Sequence, residues 1–265
     1  MGNLKKYTKK FFEAVHKRDW WLNMLGVVNG SYIWLTNDGA HPDKDPRVLI
    51  VAGFHGEEIA GPWSILKWME TQPPTKVNVS FIPIVNPTGF DLGKRYNKWN
   101  EVTNGGFIHQ DIFKDQPSVE GKILLKNSEF LKYLAKDGFL SLHEDEASAK
   151  SYLYTFENSE KPGPFSFGLR DEMEKFFEML PDGEKITVAN KPEVFAETKG
   201  GLIYQTTDFH DGGFEDYLWH EGIPRAAVTE TAGKFKLDVR VKAGVATINK
   251  FIELCVKEKN RDSKT

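Results

Sequence analysis

Apolar positions along the chain fall into two alternating patterns, helical stripes and short continuous runs. Residues 4 to 17 read as a helix. Gly26 to Leu35 reads as a hairpin, because Asn29-Gly30 is a favoured two-residue turn between Val27-Val28 and Tyr32-Ile33-Trp34. Val48 to Phe54 is a continuous apolar run with the character of a buried strand. Ile59 to Glu70 follows as a helix with Pro62 in its first turn, and Val77 to Val85 as the next strand. Asn86 to Glu120 is rich in Gly and Asn and sustains no period, which marks a long loop. Beyond it the pattern predicts a helix near Ser128 to Lys136, strands at Gly138 to His143 and Tyr152 to Phe156, and a helix over Phe165 to Leu180. A helical turn at Tyr217 to Glu221, a strand at Ala226 to Thr231 and a closing helix over Asp238 to Lys257 complete it. Strands alternating with helices call for a largely parallel sheet covered on both faces.

Composition narrows the function classes. The 265 residues suit one large α/β domain spanning 1-265, since no linker, repeat or low-complexity stretch divides them. With 28% charged residues and a net charge of -3 there is no basic footprint for nucleic acid. The only cysteine is Cys255, so a metal would have to be held by His, Asp or Glu. No run approaches the roughly 18 apolar residues that span a bilayer, so no membrane partner is expected. The charged N-terminal stretch argues against a secretory signal and for a cytoplasmic location.

The chemistry sits at the strand ends. The run VLIVAGFHGEE, Val48 to Glu58, stops at a glycine and delivers His55 and Glu58 as His-x-x-Glu. Alone, that spacing also fits an ordinary strand-to-helix turn. A second apolar run ends on His143, and the three together form a His-Glu-His set that leaves a fourth position free, the count of a catalytic zinc site. A third run, Ala226 to Thr231, carries Glu230, which could serve as a general base beside a metal-activated water. The plain alternatives are a satisfied strand-end histidine and an exposed strand-end carboxylate.

HGEE at 55 to 58, NPTGF at 86 to 90, Arg95, SLHED at 141 to 145, IYQ at 203 to 205 and TET at 229 to 231 resemble, in order, the zinc carboxypeptidases of the carboxypeptidase A type. The resemblance runs from about Val48 to Val256. It implies a three-layer α/β/α fold with a mixed, mainly parallel sheet, and one zinc ion on His55, Glu58 and His143. It further implies Glu230 as general base and proton donor, Arg95 as oxyanion donor, and Tyr204 as a tyrosine that covers the substrate.

The chain departs from that family at the pair that holds a substrate's terminal carboxylate. Asn104 is kept, but Gly105 stands where the arginine belongs, with Lys94, Lys98, Arg170 and Lys199 as candidate replacements. Glu215 and Asp216 lie where related enzymes read the departing side chain, and an acid there favours a basic or amine-bearing group. Glu57 with Glu144, Asp145 and Glu146 could hold a second metal, or form a solvated turn. The expected activity is hydrolysis of an amide at or near the C-terminus of a peptide, a murein peptide among the possibilities. The rival is a deacylase of N-acyl amino acids resembling aspartoacylase or succinylglutamate desuccinylase; a binding protein that kept the fold and lost turnover is the non-enzymatic alternative.

Overall fold

Asn3 opens the first helix, α1 (Leu4–Arg18), by accepting the Lys6 N–H on its side chain at 2.8 Å, and Asp19 closes it in the left-handed conformation. A hairpin follows, β1 (Trp21–Val28) and β2 (Ser31–Asn37), turned by Asn29 and Gly30, both at positive φ as the type I′ turn requires. The chain continues through β3 (Arg47–Ala52), α2 (Ala60–Thr71), β4 (Asn78–Ile82), α3 (Pro87–Leu92), α4 (Val119–Lys126), α5 (Ser128–Leu134) and β5 (Gly138–Asp145). Then come β6 (Tyr152–Glu157), α6 (Pro164–Glu174), β7 (Lys185–Val188), β8 (Lys191–Glu197), β9 (Leu202–Gln205), α7 (Phe214–His220), β10 (Arg225–Ala232) and α8 (Leu237–Asp262). This computed structural model describes residues 3–39, 45–72, 77–108, 116–188, 191–205 and 211–262.

Eight strands form one mixed sheet in the order β1-β2-β4-β3-β5-β10-β6-β9. The central β4, β3, β5 and β10 are mutually parallel, which brings their carboxyl ends to one edge. β2 runs antiparallel to β4 and to β1, and β6 runs antiparallel to β10. The pleat explains why β3 is an unbroken apolar run. Val48, Ile50 and Ala52 join a core with Tyr7, Phe11 and Trp68, while Leu49 and Val51 join the opposite core with Leu124, Leu131 and Phe214. Helices α1, α2, α6 and α8 cover one face and α4, α5 and α7 the other, so the layers are α/β/α.

Three stretches differ from the sequence reading. The Asn86 to Glu120 loop contains α3, a six-residue helix that Asn86 caps by accepting the Gly89 N–H at 2.8 Å. The helix expected over Phe165 to Leu180 ends at Glu174 in α6. β7 and β8 pair as a separate two-stranded antiparallel sheet, and the IYQ motif lies in the edge strand β9.

Candidate active site

The parallel strands deliver the site at their carboxyl ends, as open α/β sheets do. β3 ends at Ala52 and the turn after it carries His55 and Glu58; β5, its neighbour, carries His143. All three side chains are buried, and one ligand atom from each lies within 4.8 Å of the others. The Nδ1 atoms of His55 and His143 are 3.3 Å apart; Glu58 Oε1 lies 2.5 Å from the first and Oε2 2.9 Å from the second. Glu58 Oε2 is buried and its contact with His143 is an ion pair, with no further hydrogen-bond donor on it. The His143 ring stacks on Phe54 at 5.7 Å and 9°, and Phe54 is fixed in turn by Thr103, whose hydroxyl donates to its carbonyl.

Electrostatics say what belongs between these donors. Burial lowers the His55 imidazole to about 4 despite Glu58. In His143 burial is outweighed by Glu58 and then Glu230, and the ring is raised to about 9. Burial would raise Glu58, yet the two imidazoles hold its carboxyl far below the usual range. The cluster thus closes on one proton facing a carboxylate, a place that a divalent cation can take. Tetrahedral ligands at about 2.0–2.1 Å from zinc stand roughly 3.3 Å apart, which the two Nδ1 atoms match, and two imidazoles with one carboxylate are a zinc donor set.

Glu230 sits opposite His143 in the β10–β5 register and opposite Tyr152 in the β10–β6 register. Burial and then nearby Glu58 raise its carboxyl to about 8 against His143 and Arg95. Arg95 reaches the same place from the loop after α3, with Nη1 3.3 Å from Glu58 Oε1 and 3.6 Å from Glu57 Oε1. Two motif glycines make that possible. Gly56 N–H donates to Lys94 O at 3.0 Å, and a Cβ on Gly56 would lie 2.0 Å from the Gly89 carbonyl carbon, so HGEE and NPTG interlock backbone to backbone. Asn86 Nδ2 also donates to Arg95 O at 3.3 Å, which ties the arginine to the α3 cap.

These groups open onto a cavity of about 550 Å³ also lined by Glu57, Asn104, Gly105, Tyr152, Tyr154 and Lys185. Glu215 and Asp211 also line it, both raised by burial and by neighbouring carboxylates. Asn104 is in the cavity wall, but its amide is engaged. Its Nδ2 lies 3.3 Å from both Glu215 oxygens and its Oδ1 accepts the Phe214 N–H at 3.0 Å.

Several expectations change. Tyr204 lies away from the cavity, on the edge strand β9, where its hydroxyl donates to Ser159 O at 2.6 Å. Lys94, Lys98, Arg170 and Lys199 do not line the cavity: Lys98 donates to Asn29, and Arg170 is held at Gly200 O and Glu174. Among the described residues, the lysine and arginine that line it are Lys185 and Arg95. Asp216 accepts the Asp211 and Gly212 N–H groups at 3.0 and 3.1 Å and so shapes the turn rather than facing the cavity. The second-metal reading loses its central residue, because Glu144 accepts the Ala60 N–H at the start of α2 at 2.5 Å and pairs with Arg240. Among the described residues one cluster can hold a metal. Tyr152, Tyr154, Asp211 and Lys185 were missed. The Tyr-x-Tyr alternation on a strand beside Glu230 could have revealed the first two; Asp211 precedes two glycines and gives no periodic signal.

The fold is that of the carboxypeptidase-like hydrolases, and its His55, Glu58 and His143 could hold a metal ion. A candidate metallopeptidase from Shewanella amazonensis SB2B superposes with a TM-score of 0.86 at 32% identity, over 96% of this chain and 93% of that one. The chain belongs to its family, a zinc-carboxypeptidase-like group. The metallo-carboxypeptidase of Burkholderia cenocepacia shares the fold, with a TM-score of 0.68 at 14% identity over 96% of this chain and 69% of that protein. Residues 44–111 match the succinylglutamate desuccinylase/aspartoacylase catalytic domain. A "Probable aspartoacylase" of Prochlorococcus marinus (strain MIT 9313) is 29% identical over 120 residues, 42% of this chain and only 38% of that protein.

Proposed function

We propose that the protein is a zinc-dependent peptidase that hydrolyses an amide at the C-terminal end of a peptide whose last residue carries an amine. The observation that carries this is Glu230 set beside His143 of the His55, Glu58 and His143 cluster, in the wall of a cavity that Glu215 and Asp211 also line. Zinc on those three residues would supply a Lewis acid and a water whose pKa falls from 15.7 to about 7. Glu230, buried beside the cluster and kept ionised by the charge that a bound metal would bring, takes a proton from the attacking water on its carboxylate and hands it to the departing amine nitrogen. Arg95 donates to the oxyanion as the carbonyl carbon becomes tetrahedral. Glu215 and Asp211 line the cavity with carboxyls that burial raises, and an ammonium, as on lysine or the diamino acid of a murein peptide, would replace the proton as their counter-charge. A second reading, deacylation of N-acyl amino acids, draws on the desuccinylase/aspartoacylase match over 44–111.

The test is a panel of zinc-loaded assays on peptides ending in Lys or Phe and on N-acetyl amino acids. The expected order is Lys above Phe, with the N-acetyl compounds inert; no advantage for Lys sinks the substrate reading, and preferred N-acyl cleavage favours the rival. Glu230→Gln is expected to lose about 10²–10⁴-fold in turnover with one zinc per chain retained by elemental analysis. Near-normal turnover in that variant overturns the mechanism.

A further inference from the structure

The hairpin at the sheet edge carries an apolar face that no described helix covers. From Trp20 to Asn37 the chain has no Asp, Glu, Lys or Arg, an eighteen-residue gap in a sequence that is 28% charged. β1 is the end strand, the position that proteins ordinarily guard with charge or proline. The register pairs Leu22 with Thr36, Met24 with Trp34 and Val27 with Tyr32, and paired residues share a face. An irregularity between Met24 and Gly26 is what puts Val27 on the same side as Met24. Met24 is 52% exposed, Val27 46% and Tyr32 48%, and Leu22 and Phe12 are also exposed. Beside them α1 rises as a ridge, with Phe12 edge-on to Trp34 at 5.2 Å. The opposite face of the hairpin is closed by Val28, Ile33 and Leu35 against Ile123 and Leu124 of α4.

We propose that this face docks on a second copy of the chain, the α1 ridge of each copy seated on the bare hairpin ledge of the other across a two-fold axis. A ledge beside a ridge is self-complementary under such rotation, as an isologous interface must be. Exposed apolar area here is on the order of 500 Å² per copy, so a pair buries roughly 1,000 Å², the lower bound for a specific interface. The charges that the pairing brings in belong to α1, Lys9 and Glu13 beside Phe12 among them, and they meet a partner hairpin that carries none. The hairpin lies at the opposite end of the strand order from β10 and β6, so pairing leaves the cavity open.

Sedimentation equilibrium on the full-length protein tests this, at concentrations up to about 100 μM, where a weak specific interface is populated. A dimer is expected, and Met24→Lys with Tyr32→Lys is expected to weaken it at least tenfold. Val27→Glu alone serves as an independent variant. Unchanged thermal melting and zinc content show that a variant is folded. Wild-type protein that stays monomeric overturns the proposal, as does a dimer that persists unweakened in both folded variants. So does a monomer that binds anionic phospholipid vesicles through the same residues, which would assign the face to a membrane.

Discussion

At the scale of single residues the site is a set of carboxylates held at different proton affinities by their surroundings. Arg95 touches Glu58 and Glu57 and faces the acid-lined cavity, so Arg95→Ala is expected to lower kcat about 10²–10³-fold while zinc content holds, the usual cost of one oxyanion donor. Asp211 carries the pH dependence. Its carboxyl is raised well above 3.8 by burial, then Glu215 and Asp216, so the folded state holds a proton that the unfolded chain releases. Its contribution to stability is complete below the ordinary carboxylate range and is lost as pH rises through the elevated value. Asp211→Asn keeps an acceptor for the Gly213 N–H, 2.8 Å away, and is expected to flatten the fall in Tm with rising pH. His55, Glu58, His143, Arg95 and Glu230 could be picked out in the sequence because each follows an apolar run or a short motif. Tyr204 and Asn104 could not be placed, because their partners lie 45 and 111 residues away in the chain.

At the scale of elements, the site depends on backbone packed against backbone. The turn after β3 and the first turn of α3 touch at Gly56 and Gly89, and Arg95 hangs from that contact through Gly56 and Asn86. Gly56→Ala places a methyl group 2.0 Å from a carbonyl carbon, and backbone cannot yield as a side chain can. The expected result is a destabilisation of about 1–3 kcal/mol or more by urea denaturation, together with loss of activity in whatever fraction folds. An exposed glycine such as Gly183, with nothing near its Cβ, has no such contact to lose. Legibility at this scale follows burial. β3 and β5 are apolar runs because both their faces meet a core, so the sequence displays them openly. α3 has only six residues, too few to display a helical period even though Phe90 is buried against Tyr7, and β7 and β9 have four each, so no periodic signal marks them.

At the scale of the whole molecule, the sheet and one helical layer meet at a single carboxylate behind the His55, Glu58 and His143 cluster. Glu144, next to His143 on β5, accepts the Ala60 N–H at the start of α2 and pairs with Arg240 on α8, so sheet and both helices meet at one carboxylate. The α/β/α layering could be inferred from alternating patterns, but this junction could not, because its residues are 84 and 96 positions apart and the acidic run reads equally well as a solvated turn. Burial raises Glu144 to about 7 in spite of Arg240, so desolvation outweighs the attraction even with the pair intact. In the native protein that contribution to stability is full below 4.5, the ordinary value, and is lost by about pH 7. Arg240→Met removes the one cation opposing burial and moves the folded value higher. Below about 7 native and variant both hold the proton, and the charge adds little to the difference between them. Above it the variant alone must keep a carboxyl protonated or bury an unpaired charge. Arg240→Met is therefore expected to lower Tm more at pH 8.5 than at pH 6, approaching the roughly 3–5 kcal/mol of a broken buried pair. Melting curves of both proteins at the two pH values measure it. An equal loss at both would mean that Arg240 acts through packing rather than charge.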